Sequence, residues 1–123
     1  MRMCVQYAVD YPAREASAGE ALDLFKVGSL TFARPDEEAF PLLSLARRAG
    51  TVGAGMPAVM NAADEVAVEA FLNGSLSFAG ISRAVISTFE DMLPYARGGA
   101  DIDELIAMDR EARKIAKKHI LER

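Results

Sequence analysis

Residues 56–74, MPAVMNAADEVAVEAFLNG, carry the longest unbroken helical rhythm in the chain. Pro57 falls in the first turn, where its missing N–H would have had no partner anyway. Val59, Ala62, Ala63, Val66, Ala70 and Phe71 recur at three- and four-residue spacing and form one apolar face. Asp64, Glu65 and Glu69 put charge on the other side. Asn73-Gly74 stops the helix, because glycine accepts the left-handed conformation just past a helix C-terminus. The apolar face is mostly Ala and Val. Such small side chains let a neighbouring helix backbone come close, so this stretch is read as the central helix of a bundle.

Three more helices are expected around it. Asp36 is a candidate N-cap, with Glu37 and Glu38 suited to a positive helix N-terminus. The helix it opens runs through Phe40, Leu42, Leu43, Leu45 and Ala46 to Ala49, with Pro41 tolerable only if the helix starts near it. Arg47 and Arg48 fall in its last turn, and Gly50 ends it. After a connector at 75–80, Ile81, Ala84, Val85, Thr88, Phe89 and Met92 mark the next helix, terminated by Pro94 and Gly98-Gly99. Asp101 caps the last helix, with Asp103 and Glu104 in its first turn. Its stripe is Ile102, Leu105, Met108, Ala112, Ile115 and Ala116, and its outer face carries Arg110, Arg113, Lys114 and Lys117. Four helices with short connections make an antiparallel-type bundle.

The first third is different in kind. Residues 1–9, MRMCVQYAV, fit a short helix or a strand equally, and Tyr11-Pro12 closes the segment. Residues 13–20 read as a loop. Leu22, Leu24 and Phe25 anchor an irregular stretch, and Ser29–Ala33, SLTFA, alternates as a strand does. A single strand has no partner in this chain, so the segment is read as an extended arm that pairs with something else. The fold class is therefore mainly α: a C-terminal four-helix bundle over 37–123, preceded over 1–36 by an extended arm with one short strand. A bare strand edge can pair with another copy, which predicts self-association or arm exchange through 22–35.

A chain of 123 residues is one domain's worth and can bury a real core. Its net charge of −4 argues against nucleic acid, since basic residues gather only near the C-terminus. No apolar run nears the ~20 residues that span a bilayer, and the N-terminus lacks a signal-peptide stretch. A single cysteine, Cys4, excludes an internal disulfide and a cysteine-rich metal site, and fits a cytoplasmic setting.

No constellation of residues runs a reaction by itself. His119, the only histidine, lies near the end of the last helix, where a cation suits the dipole, and has no evident triad partners. Asp64 and Glu65 point roughly 100° apart on a helix and do not share a metal. Glu65 and Glu69 share a face, which reads as solvated. Asn61 is a polar residue in a packing role, and Cys4 a buried, inert thiol. Arg113, Lys114, Lys117 and Lys118 form the solvated face of an amphipathic helix. The six methionines fill gaps. Gly50, Gly53 and Gly55 follow no strand, so they read as a helix connector rather than a dinucleotide loop.

Three stretches in series resemble one family. MRMCVQYAVDYPAR at 1–14 is similar to M-R-x-P-I-x-x-A-x-x-Y/W-P-x-R, and LDLFKVGSLTFARPDEEAFPLLSLA at 22–46 to L-D-x-x-x-x-x-x-L-T-F-x-x-P-D-x-x-x-F/Y-P-x-L-x-L-A. AVMNAADEVAVEAFL at 58–72 resembles A-x-x-N-A-A-N-E-x-A-V-x-A-F-L. This order of motifs is similar to the C-terminal third of the 1-deoxy-D-xylulose 5-phosphate reductoisomerases. Members of that family use NADPH and Mg²⁺ or Mn²⁺ to turn 1-deoxy-D-xylulose 5-phosphate into 2-C-methyl-D-erythritol 4-phosphate, on the methylerythritol phosphate route to isoprenoids.

The resemblance implies a tail of a catalytic domain (roughly 1–20), a linker arm (roughly 21–36) and a helical domain (37–123). It places the dinucleotide glycines, the metal carboxylates and most phosphate ligands upstream of Met1. No catalytic or metal-binding residue is carried over. Met1 alone matches a cofactor-side position, a methionine lining the nicotinamide side of the family's active site. Cys4 stands where the family usually has Pro, and Asp64 where it usually has Asn. The expected partners are the missing N-terminal and catalytic domains and a second copy, as a homodimer or arm-exchanged oligomer. The rival reading is a stand-alone helical-bundle protein-interaction module.

Overall fold

The computed structural model describes residues 2–17, 19–98 and 101–122, and the chain divides into two units, 1–34 and 35–123. Met1, Gly99, Ala100 and Arg123 lie outside the described residues, as does Ala18.

In the first unit, Arg2–Asp10 is helical (α1), which settles the choice between helix and strand. No residue of α1 is buried. Side-chain contacts turn the following loop back onto the helix instead. Gln6 donates to the Ala16 carbonyl at 2.8 Å, Tyr7 meets Tyr11 edge to face, and the Arg14 guanidinium lies 4.4 Å over the Tyr7 ring. Cys4, read as buried, is exposed: α1 buries no residue, and the loop that folds back meets it at Gln6 and Tyr7.

A four-residue helix, Leu24–Val27 (α2), interrupts the stretch expected to be irregular. Asp23 nucleates it by accepting from the backbone N–H groups of Phe25 and Lys26. The short strand expected at 29–33 is not formed: no strand occurs among the described residues. Alternation in sequence selects faces, but a strand exists only through a hydrogen-bonded ladder, and this segment has no partner to make one.

In the second unit, Asp36 caps a turn rather than the helix. Its carboxylate accepts from the N–H groups of Glu38 and Ala39, and Phe40 N–H bonds back to its carbonyl. The helix itself, Leu42–Val52 (α3), begins after Pro41. It runs straight through Gly50 and stops at Gly53, so Arg47 and Arg48 sit mid-helix and not in its last turn. Gly53, Ala54 and Gly55 then take positive φ in succession, at 63°, 47° and 81°. That left-handed corner reverses the chain within three residues, which is why glycine occupies two of them.

Met56–Leu72 (α4) follows, with Pro57 in its first turn and Asn73-Gly74 beyond its end. Phe78–Met92 (α5) starts three residues earlier than its apolar stripe predicts, because the Ser77 side chain accepts from Gly80 N–H and caps it there. A 3₁₀ turn, Leu93–Tyr95, accommodates Pro94. Ile102–Leu121 (α6) opens on a complete capping box, Asp101 accepting from Glu104 N–H while the Glu104 carboxylate accepts from Asp101 N–H.

Helix α4 touches α3, α5 and α6, and the core is built on it. Met56, Val59, Ala62, Ala63, Val66 and Ala67 are buried along it. Every residue of the α5 stripe is buried, including Thr88, whose hydroxyl donates to the Ala84 carbonyl. From α6 only Ala112 and Ala116 are buried, and from α3 only Leu45 and Ala49. Seven of these core positions on α3, α4, α5 and α6 are alanine, so the helices approach through small side chains as the sequence implied.

Candidate functional site

The polar residues of α4 divide by position. Glu65 faces α6, where Arg113 Nη2 donates to it at 2.7 Å. Asn61, one turn earlier on α4, donates to the other Glu65 oxygen at 3.1 Å. Arg113 also donates from Nε to Asp109 on its own helix at 2.8 Å. These bonds to its charged form hold the Glu65 carboxyl below the usual carboxylate range, Arg113 acting most and Asn61 next. Asn61 and Arg113, read as a packing amide and a solvated cation, are thus parts of one inter-helix network.

Asp64 has a different environment. It is half-buried, and no side chain bonds to it among the described residues. Burial lifts its carboxyl above the usual range, and the neighbouring Glu65 charge adds to that. Two clefts meet at this residue. One, of about 260 Å³, is walled by Phe40, Leu43, Val68, Phe78 and Ile81. The other, of about 420 Å³, runs past Ala46, Ala49, Pro57 and Met60. Leu42 and Asp64 belong to both. Phe40 and Phe78 are largely exposed at the rim. The sequence holds a signal for this. Asp64 stands between Ala63 and Val66, at the margin of the buried face rather than opposite it.

The remaining charged contacts are ties between helices. Arg48 on α3 bonds to Glu90 on α5 through its two terminal guanidinium nitrogens, which raises its pKa, and lies 5.2 Å over the ring of buried Phe89. His119 Nε2 sits 2.8 Å from Asp91 Oδ2, joining α6 to α5. Lys114 pairs with Glu111 within α6, and Lys118 with Glu122 just past its end. Glu69 remains on the exposed face. Among the described residues no group of three or more His, Cys, Asp or Glu could hold a metal, and no helix is long and apolar enough to cross a membrane. Met1, the one cofactor-side position implied by resemblance, lies outside the described residues. The arrangement is a set of inter-helix ties around an apolar cleft, and among the described residues no nucleophile stands beside a base.

The helical unit thus presents an apolar cleft whose lining carries a single carboxylate, that of Asp64. Its family is plain. Residues 1–115 match the model of the DXP reductoisomerase C-terminal domain, and the chain belongs to that family. A 1-deoxy-D-xylulose 5-phosphate reductoisomerase of Symbiobacterium thermophilum is 48% identical over 96% of this chain, and one of Citrifermentans bemidjiense 45% identical over the same share. In each case the match covers 30% of the relative, so the chain spans under a third of the length of these proteins. Among solved structures, the Zymomonas mobilis reductoisomerase in complex with NADPH matches with a TM-score of 0.79 at 36% identity, covering 94% of this chain and 30% of that one. A reductoisomerase in complex with NADPH, fosmidomycin and magnesium matches with a TM-score of 0.82 at 34% identity, covering 97% and 31%.

Proposed function

We propose that this chain is the C-terminal portion of an NADPH-dependent 1-deoxy-D-xylulose 5-phosphate reductoisomerase, and that it braces an active site built by residues upstream. The observation that carries this is the family match over 1–115 in a chain that spans only 30% of its relatives. On this reading residues 1–20 are the tail of the catalytic domain, 21–36 the linker arm and 37–123 the helical domain.

Among the described residues neither a dinucleotide cradle nor a metal-binding cluster is formed. The turn at 53–55 joins helix to helix, so it lacks the strand-to-helix geometry that cradles a dinucleotide phosphate. No acidic or His/Cys cluster stands ready for Mg²⁺ or Mn²⁺ among the described residues. On this reading both groups are held mainly by the upstream domains. The contribution of this segment is positional: α4 holds three helices at fixed spacing, and the face at Asp64 meets other protein.

Titration of NADPH into the 123 residues alone tests this reading. No saturable binding is expected, and the isolated segment is inactive on 1-deoxy-D-xylulose 5-phosphate. Saturable binding in the micromolar range overturns it. The arm also supports self-association of the isolated segment, as a homodimer or arm-exchanged oligomer through residues 22–35.

A further inference from the structure

Asp64 is a half-buried carboxylate to which no cation bonds among the described residues. Cations of the neighbouring helices are engaged elsewhere: Arg47 with Glu37, Arg48 with Glu90, and Arg113 with Glu65 and Asp109. Apolar walls lie to either side of it. One cleft, of about 260 Å³, is lined by Phe40, Val68 and Phe78, and the other, of about 420 Å³, by Pro57 and Met60. Leu42 and Asp64 belong to both, so the two form one furrow over α3, α4 and α5, and Asp64 is the one charge among its lining residues. Phe40 and Phe78 stand 61% and 68% exposed at the rim.

We propose that this furrow receives a segment of the polypeptide upstream of residue 1, which sets one Lys or Arg side chain against Asp64 and apolar side chains to either side of it. The lone carboxylate calls for a cation, because partial burial penalises its charged form and pairing relieves that penalty. The walls call for apolar surface on both sides of that cation, which a protein segment carries and an inorganic cation does not. The chain matches a C-terminal domain and covers 30% of its relatives' length, so on the reading given above most of the polypeptide lies upstream. A covalently linked segment meets the furrow at an effective concentration on the order of millimolar, and contacts too weak to hold a free partner then suffice. The proposal rests on that reading and gives the bracing role its point of attachment. The contact falls on α4, the helix that touches α3, α5 and α6.

Hydroxyl-radical footprinting of the full-length polypeptide and of the 123-residue chain, read by mass spectrometry at Phe40 and Phe78, tests it. In full-length wild type both rings are expected to oxidise about tenfold or more slower than in the 123-residue chain. Asp64→Lys sets a like charge against the incoming cation, and so does Ser82→Lys on the wall of the same cleft. Each is expected to bring the full-length rates to within about threefold of those in the 123-residue chain. Ser82→Glu adds similar bulk with the opposite sign and keeps the protection. Circular dichroism verifies the helicity of every variant, and where Asp64→Lys loses it the two Ser82 variants decide. Reductoisomerase activity of full-length wild type reads the underlying function separately. An active enzyme whose rings oxidise as fast as in the 123-residue chain overturns the docking alone, whereas an inactive one overturns the reading beneath it. Protection that survives both lysine variants, or that Ser82→Glu removes equally, rejects the cation. Protection in the 123-residue chain that grows with concentration assigns the furrow to a second copy and overturns the proposal.

Discussion

A Cβ added to Gly55 would lie 2.6 Å from the Met108 sulfur and 3.1 Å from Leu105 Cδ2. The corner that turns α3 into α4 is thus closed by the side of α6, and Gly55 holds φ at 81° beneath it. Two separate penalties meet there. An L-residue in the left-handed region costs roughly 1–2 kcal/mol, and crowding adds to that. Gly55→Ala is expected to destabilise the bundle by about 2–3 kcal/mol. In a double-mutant cycle, adding Met108→Ala should recover only the crowding part. Urea denaturation of the four proteins checks this, and full recovery would show that the backbone carries no strain.

The alanine contacts make a second prediction. Ala116 is wholly buried on α6, and α6 presses on α4, whose buried Ala63 and Ala67 lie one turn apart. Extra methyl groups have no void to enter in such a layer. Ala116→Leu should therefore cost about 1–3 kcal/mol despite being more apolar, whereas Ala107→Leu on the exposed side should change little. Equal effects at the two positions, read by thermal unfolding, would contradict close packing through alanine.

The acidic pair on α4 predicts opposite pH trends from adjacent residues. Asp64 has a raised folded-state pKa, so the folded form binds the proton more tightly than the unfolded one. Its contribution is neutral below the ordinary carboxylate range and becomes a penalty as pH rises through its raised value. Glu65 has a lowered one, so its stabilisation is present above the ordinary range and is lost as pH falls through the lowered value. In dilute, monomeric protein Asp64→Asn should be more stable than wild type at neutral pH, and the gain should vanish in strong acid. Glu65→Gln should be less stable at neutral pH and converge with wild type in acid. Chemical denaturation at both pH values reads the two signs, and a shared sign would refute the assignment of environments.

How much of this was legible depended on whether the deciding interaction was local. The stripes of α4 and α5 were readable because helical period alone chooses the buried face, and every named α5 residue is buried. The box at Asp101 is half readable, since spacing marks Asp101 as the cap but Glu104 only as a first-turn charge. The start of α3 was misplaced because Asp36 does cap something, a single turn, and Pro41 then restarts the chain. Ala67 replaced Ala70 and Phe71 on the buried face because α5 and α6 both press on α4, and that depends on tertiary contacts. Ile102 belongs to the α6 stripe by spacing yet is 76% exposed, so the stripe is buried only further along the helix, at Ala112 and Ala116. The cleft at Asp64 was not readable at all, since its walls come from positions 40, 43, 68, 78 and 81.

The last prediction concerns the two units. All buried apolar residues of the core lie between Leu45 and Ala116, and neither α1 nor α2 buries any residue. Stability in a small domain follows from apolar surface removed from water. A chain of residues 35–123 therefore keeps the whole core, the Asp36 turn that precedes α3 and the capping box of α6. It is expected to fold cooperatively with a Tm within a few degrees of the full chain's, and to be monomeric, since the arm proposed to exchange between copies is gone. Differential scanning calorimetry together with light scattering checks both halves of this. A large loss of Tm would show that the first 34 residues contribute a part of the core, and a surviving dimer would place the contact on the bundle itself.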